Sequence, residues 1–254
     1  MAAKELKRAV VSKKMLAAYI ISLVSLIIGG WDYVSGFSNN GTYLEKYLIS
    51  LAYGTASLLA VFFPIIACIP YALSYRDEAD SGFYYLYILK TGYRRYQTAK
   101  IVSVFVSGFL AVFTACLTYY LIMVFVIGTG DTQYPILIGL FFAEDMYESN
   151  PFLYGMIYTF NAGLQSGVFA VLGMGVSAVV RNRYIAILIP FAYCIFSASV
   201  LELYNQAFNA ITLFVIGQYF GGALGYWGIP IYDGILILLG IGLYMIGDCY
   251  AHKS

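Results

Sequence analysis

The sequence predicts an all-α membrane protein: one unit over 1–254, six transmembrane helices, an N-terminal amphipathic helix, and short re-entrant outer helices before the last span. Three observations carry this prediction. Apolar residues make up 61% of the 254 residues and charged residues 11%, against about 45–50% and about 25% in a soluble domain, too little charge to cover a water-facing surface. Apolar runs near the about 20 residues that cross a roughly 30 Å hydrocarbon core recur along the chain, and in lipid they must be helical because every backbone N–H and C=O has to be bonded within the segment. Lastly, Lys and Arg fall on alternate connections of a six-helix layout.

The first span is expected at about 15–31, behind Lys4, Lys7, Arg8, Lys13 and Lys14. This imitates a signal peptide, but no small-x-small cleavage site follows and more spans do, so it reads as a retained helix. Ahead of it Leu6, Ala9 and Val10 lie on one side of a helix and Lys4, Lys7 and Arg8 largely on the other, the pattern of a surface-lying amphipathic helix; a basic tail that only sets orientation explains the same residues. The second span, about 48–75, contains Pro64 and Pro70, which remove helix donors and predict a kink. The third (101–127) and fourth (154–180) carry no charge, and the fourth is rich in glycine. Arg181, Asn182 and Arg183 then break the chain before the fifth, 185–201. The sixth, 229–246, has Pro230 at its start and Asp233 in its first turn, where the helix dipole favours an acid.

Residues 202–228 are too interrupted by Asn205, Gln206, Asn209, Gln218 and glycines for a lipid-facing span. They read as re-entrant or interfacial pieces shielded by protein, with a seventh span as the alternative. Gly217, Gly221 and Gly225 recur every four residues, and Gly163 with Gly167 forms a second pair of this kind; both suit close helix packing. Cys68, Cys116, Cys194 and Cys249 lie in or beside apolar runs with no CxxC and read as small core residues.

In this layout the segments on one side are the N-terminus, 76–100, 181–183 and the C-terminus, and they hold all but Lys46 of the 14 Lys and Arg residues. Asp32, Glu45, Asp131, Glu144, Asp145, Glu148, Glu202 and Asp233 fall on the other side. The bias places both ends in the cytoplasm, and a net charge of +1 gives no reason to expect nucleic acid.

Catalysis finds little to work with. The single histidine, His252, lies in the C-terminal tail, so neither a two-histidine zinc site nor a histidine-based hydrolase can be assembled. Gly163-Leu-Gln-Ser166-Gly lacks the GxSxG spacing, and no GxxxxGK[ST] phosphate loop occurs. No charge is expected at mid-membrane, where ion-coupled carriers place theirs. Asn161 and Gln165, spaced i and i+4, read as interhelical hydrogen-bonding groups, or as polar lining of a pathway.

The connection 76–100 mixes acids, bases and aromatics. Arg76, Asp77, Glu78, Asp80 and Ser81 precede Gly82; Phe83 to Leu89 are mostly apolar; Thr91-Gly92 marks a turn; Lys90, Arg94, Arg95 and Lys100 lead into the third span. This predicts a short amphipathic helix at the membrane surface. Here the chain resembles the permeases of the ABC-2 class of ABC transporters, which share an acidic-x-x-Gly segment, an apolar stretch ending in a turn, an Arg, and Ala-Lys before the third span. Asp77, Glu78, Ser81, Gly82, Leu86, Leu89, Arg94 and Ala99-Lys100 match, while Gly92 stands where that family commonly has proline. The resemblance covers the layout of nearly the whole chain.

The resemblance implies a bacterial cytoplasmic-membrane exporter whose transmembrane subunit pairs with a second copy or a related permease. It implies a coupling helix, formed by Arg76, Asp77, Glu78, Asp80, Gly82, Phe83, Leu86, Leu89 and Arg94 and assisted by Arg181 and Arg183, docked on a separate ATP-binding cassette subunit. ATP and Mg would be bound by that partner, and no cofactor by this chain. By similarity to small Gram-positive permeases, an amphipathic peptide such as a bacteriocin or cytolytic peptide is the expected cargo, ahead of hydrophobic drugs and lipid-linked polysaccharide. The competing classes are a non-transporting sensor or assembly component and a passive channel.

Overall fold

The computed structural model describes residues 2–35, 42–53, 58–126, 144–204, 208–216 and 227–251. The helices in chain order are α1 (Ala2–Val10), α2 (Lys13–Ser35), α3 (Tyr43–Leu48), α4 (Leu58–Cys68), α5 (Ser74–Asp80), α6 (Phe83–Thr91), α7 (Tyr93–Val126), α8 (Glu144–Ser149), α9 (Pro151–Val179), α10 (Arg183–Ser199), α11 (Ala210–Phe214) and α12 (Gly228–Ala251). No strand occurs among the described residues. Five of these helices, α2, α7, α9, α10 and α12, are long and apolar enough to cross a membrane.

The centre of the bundle is α9, which is buried almost continuously from Tyr158 to Ala178. Its sequence explains this position. Pro151 occupies the first turn, and the Asn150 side chain accepts from Leu153 N at 3.2 Å, fixing the start. Small residues then let neighbours close in on two sides. A Cβ at Gly163 would lie 2.7 Å from Phe113 Cβ, and one at Gly167 would lie 2.9 Å from the Phe105 ring, both on α7. One at Gly175 would lie 2.1 Å from the Gly240 carbonyl of α12. Between helices in lipid the hydrophobic effect gives no net drive, so such close packing is what associates them. Cys68, Cys116 and Cys194 are buried and free, while Cys249 is exposed.

Three expectations require correction. The stretch 48–75 is not one kinked helix: α3 runs into a π-helical turn, Ile49–Tyr53, and α4 is an 11-residue helix with Pro64 inside it. At 1.5 Å per residue α4 is only about 16 Å long. Pro70 and the turns around it separate α4 from α5. The region starts earlier than expected, where Thr42 and Glu45 form a reciprocal capping box at α3. Second, the segment 76–100 is not a connection over its full length. It is nearly all helical, and the third long helix begins eight residues before the expected start, so Lys100 lies inside α7. Third, Asp233 sits in the second turn of α12, not the first, and is buried.

Within 202–228 the described pieces are a 3₁₀ turn, Leu201–Leu203, and α11. The backbone of α11 is satisfied by protein: Ser197 Oγ accepts from Ala210 N at 3.1 Å, and Asn161 Nδ2 donates to the carbonyls of Leu213 and Phe214 at 2.8 and 3.0 Å. Phe214 stacks on Phe63 of α4 with centroids 4.5 Å apart. Gly217, Gly221 and Gly225 lie outside the described residues.

Candidate functional site

The end of the bundle that carries α1, α5 and α6 is built on two buried acidic centres. The first joins α1, α5 and α7. Lys100, with 0% side-chain exposure, lies 2.7 Å from Glu78 Oε1 and 3.6 Å from Glu5 Oε2. Its ammonium also sits over the Tyr71 ring, 4.7 Å from the centroid, and 5.7 Å from that of Tyr96. The phenols complete the set, Tyr71 donating to Glu5 at 2.5 Å and Tyr96 to Glu78 at 2.6 Å. Arg8 reaches Glu78 at 2.9 Å from a half-exposed position. A charge this deep is tolerated only when it is paired, and here the two carboxylates and two aromatic faces surround an ammonium that makes no hydrogen bond of its own among the described residues.

The second centre is Asp248, fully buried near the end of α12. It accepts from Tyr75 Oη at 2.8 Å, Tyr93 Oη at 2.5 Å, Gln97 Nε2 at 2.9 Å and the Tyr84 hydroxyl. One carboxylate thus ties α5, α6 and α7 to α12. Burial first, and then the bond to Asp248, hold the Tyr84 phenol well above its usual pKa.

The outer face of α6 is left uncovered by these ties. Phe83, Tyr85, Leu86 and Leu89 are exposed, Leu89 by 84%, and Lys90, Arg94 and Arg95 beside them are exposed as well. Glycines with positive φ bound the helix, Gly82 at +74° and Gly92 at +82°, conformations that L side chains rarely adopt. The result is a short apolar-aromatic helix fixed from below and flanked by cations.

The residues read as a docking group divide accordingly. Gly82, Phe83, Leu86, Leu89 and Arg94 are on the exposed side, as is Arg181. Glu78, grouped with the surface acids from sequence, faces inward and is fully engaged. Asp77 and Asp80 are half-exposed and meet Arg183 of α10 at 3.1 and 3.4 Å; Asp80 also meets Arg76 at 2.9 Å, and Asp77 meets Lys14 at 3.4 Å. Asn161 bonds α11, and Gln165 Nε2 bonds Asp233 Oδ2 at 2.9 Å.

Sequence reasoning missed Glu5, Lys100 and Asp248 as a framework. A signal existed in the helical spacing: Glu5 and Ala9 share a face of α1, and Tyr96 with Lys100, like Tyr93 with Gln97, stand at i and i+4 on α7.

No known protein family, curated protein or solved structure matches this chain. What the helices define is a multi-pass α-helical membrane protein.

Proposed function

We propose that the chain is the transmembrane subunit of an ATP-driven exporter of the ABC-2 type, with α6 as the helix that docks on a separate ATP-binding cassette subunit. In this reading it sits in a bacterial cytoplasmic membrane with both ends in the cytoplasm, works beside a second copy or a related permease, and binds neither ATP nor Mg itself. It crosses six times, the 48–75 region contributing one crossing in discontinuous form. The cargo is an amphipathic peptide, with a hydrophobic drug as the next choice.

The observation that carries the reading is the mounting of α6. Its outer side chains are apolar, exposed and ringed by charge, the combination that fills a groove while setting partner choice. Its inner side reaches α7 and α12 through Tyr84 and Asp248. A displacement of α6 by a closing partner would therefore be passed to two long helices.

The test is the double variant Leu86→Asp, Leu89→Asp, purified in mild detergent from the native host. Because both side chains are exposed, its melting temperature should stay within about 2 °C of the parent, as surface changes shift stability little. Co-purification of a nucleotide-hydrolysing subunit, and peptide-stimulated ATP hydrolysis, should be lost. An intact, stimulated complex in the variant, or no such subunit with the parent, refutes the reading.

A further inference from the structure

Two carboxylates are buried on α12, about 22 Å apart along its axis at 1.5 Å per residue, and they are treated differently. Asp248 accepts from four side chains. Asp233, 5% exposed, accepts through Oδ2 from Gln165 alone, and its Oδ1 is buried with no hydrogen-bond partner among the described residues. Gln165 Oε1 is likewise buried without a partner there. No cation pairs with Asp233 among the described residues. A buried carboxylate in that condition is costly to keep, because its lost hydration is not replaced.

Asp233 lines an open cleft of about 480 Å³ between α9 and α12. The remaining wall is apolar apart from Asn161, and includes Ile157, Leu164, Ile229 and Ile237. The amide nitrogen of Asn161 is taken by the carbonyls of α11, which leaves its carbonyl end as a further acceptor. The polar part of the cleft is therefore acceptor-rich, and the rest suits hydrocarbon. The volume falls within the roughly 300–1,000 Å³ typical of small-molecule sites.

We propose that this cleft binds an amphipathic primary ammonium, with the charge on Asp233 and the apolar body against the isoleucines. An inorganic cation fits poorly. Calcium takes about 6–8 oxygen ligands, and the described residues hold no group of three or more His, Cys, Asp or Glu side chains placed to bind a metal. An ammonium needs fewer acceptors, and its alkyl or aryl part fills the volume an ion would leave empty. The proposal stands apart from the exporter reading, since it requires neither a partner nor nucleotide.

The probe is dansylcadaverine, titrated by fluorescence into the full chain in phosphatidylcholine nanodiscs, with its neutral N-acetyl derivative alongside. Saturable binding of the amine is expected, at least tenfold tighter than that of the acetylated form, and Asp233→Asn should weaken it at least tenfold. Equal binding of the two probes, unchanged binding in Asp233→Asn, or no saturable binding to the parent overturns the proposal. Should Asp233→Asn fail to fold, Ile237→Trp fills the cleft and leaves the carboxylate in place. Loss of amine binding in that variant supports the site, and unchanged affinity overturns it.

Discussion

Replacing Lys100 by Met removes the one fully buried cation of the Glu5–Glu78 centre. Lys100 Nζ stands 2.7 Å from Glu78 Oε1 and 3.6 Å from Glu5 Oε2, so the variant leaves two buried carboxylates facing an apolar side chain. Breaking a buried pair in this way costs about 3–5 kcal/mol, and loss of the cation–π contacts adds about 0.5–2 kcal/mol. Arg8 still reaches Glu78 at 2.9 Å, but its side chain is 55% exposed and solvent screens it, so it returns only about 0–1 kcal/mol. The net is about 4 kcal/mol, or roughly 8–16 °C in Tm at about 2–4 °C per kcal/mol for a chain of this size. The assay is heating in detergent followed by size-exclusion detection of the folded fraction. Limited trypsin digestion supplies a second readout, because α1 should detach and cleave faster at Lys4, Lys7 and Arg8. Glu78→Gln with Lys100→Met removes one of the orphaned charges and should recover part of the loss. A Lys100→Met protein melting within about 2 °C of the parent, with α1 still protected, would refute the claim that this centre holds the end of the bundle together.

Three further outcomes follow from neighbouring geometry. Asp248→Asn places an amide donor among Tyr75, Tyr84, Tyr93 and Gln97; stranding one or two of those donors should cost about 2–4 kcal/mol, read as a fall in Tm together with faster trypsin cleavage at Lys90 as α6 loosens. Gly92→Ala should destabilise by about 1–3 kcal/mol through backbone strain alone, since φ is +82° and a Cβ would meet nothing within 4 Å; Gly82→Ala, in the milder left-handed region, should cost about 1 kcal/mol. Arg183→Ala breaks half-exposed pairs with Asp77 and Asp80 and should change Tm by less than about 4 °C, the worth of a surface pair of about 0–1 kcal/mol; a large fall would mean that the α5–α10 contact carries more stability than its exposure implies.

Where the sequence failed, it failed on particular residues. Pro64 and Pro70 foretold a disturbance in the second apolar region, but apolar content alone could not tell a kinked span from the sequence of π turn, short helix and turns that is present. Lys100 read as part of a basic surface stretch because Arg94 and Arg95 precede it, and they are indeed exposed. One further turn along α7 the surroundings change, and the same type of charge has 0% exposure. Asn161 and Gln165 were visible as a polar pair, yet their partners, the α11 carbonyls and Asp233, stand 52 or more positions away in sequence.

By itself the sequence determined the class, an α-helical chain with apolar helices of membrane length. Apolar runs of membrane length have to be helical in lipid, and the small residues of α9 and the glycines bounding α6 act within one turn or one helix face, so local reading reaches them. Only the tertiary structure decided which charges are buried, which carboxylate is satisfied and which is left open. Those outcomes depend on donors arriving from helices distant in the chain: Tyr75, Tyr84, Tyr93 and Gln97 converge on Asp248, while among the described residues Asp233 receives Gln165 alone. A side chain's desolvation is set by everything packed around it, and that is fixed only when the helices meet.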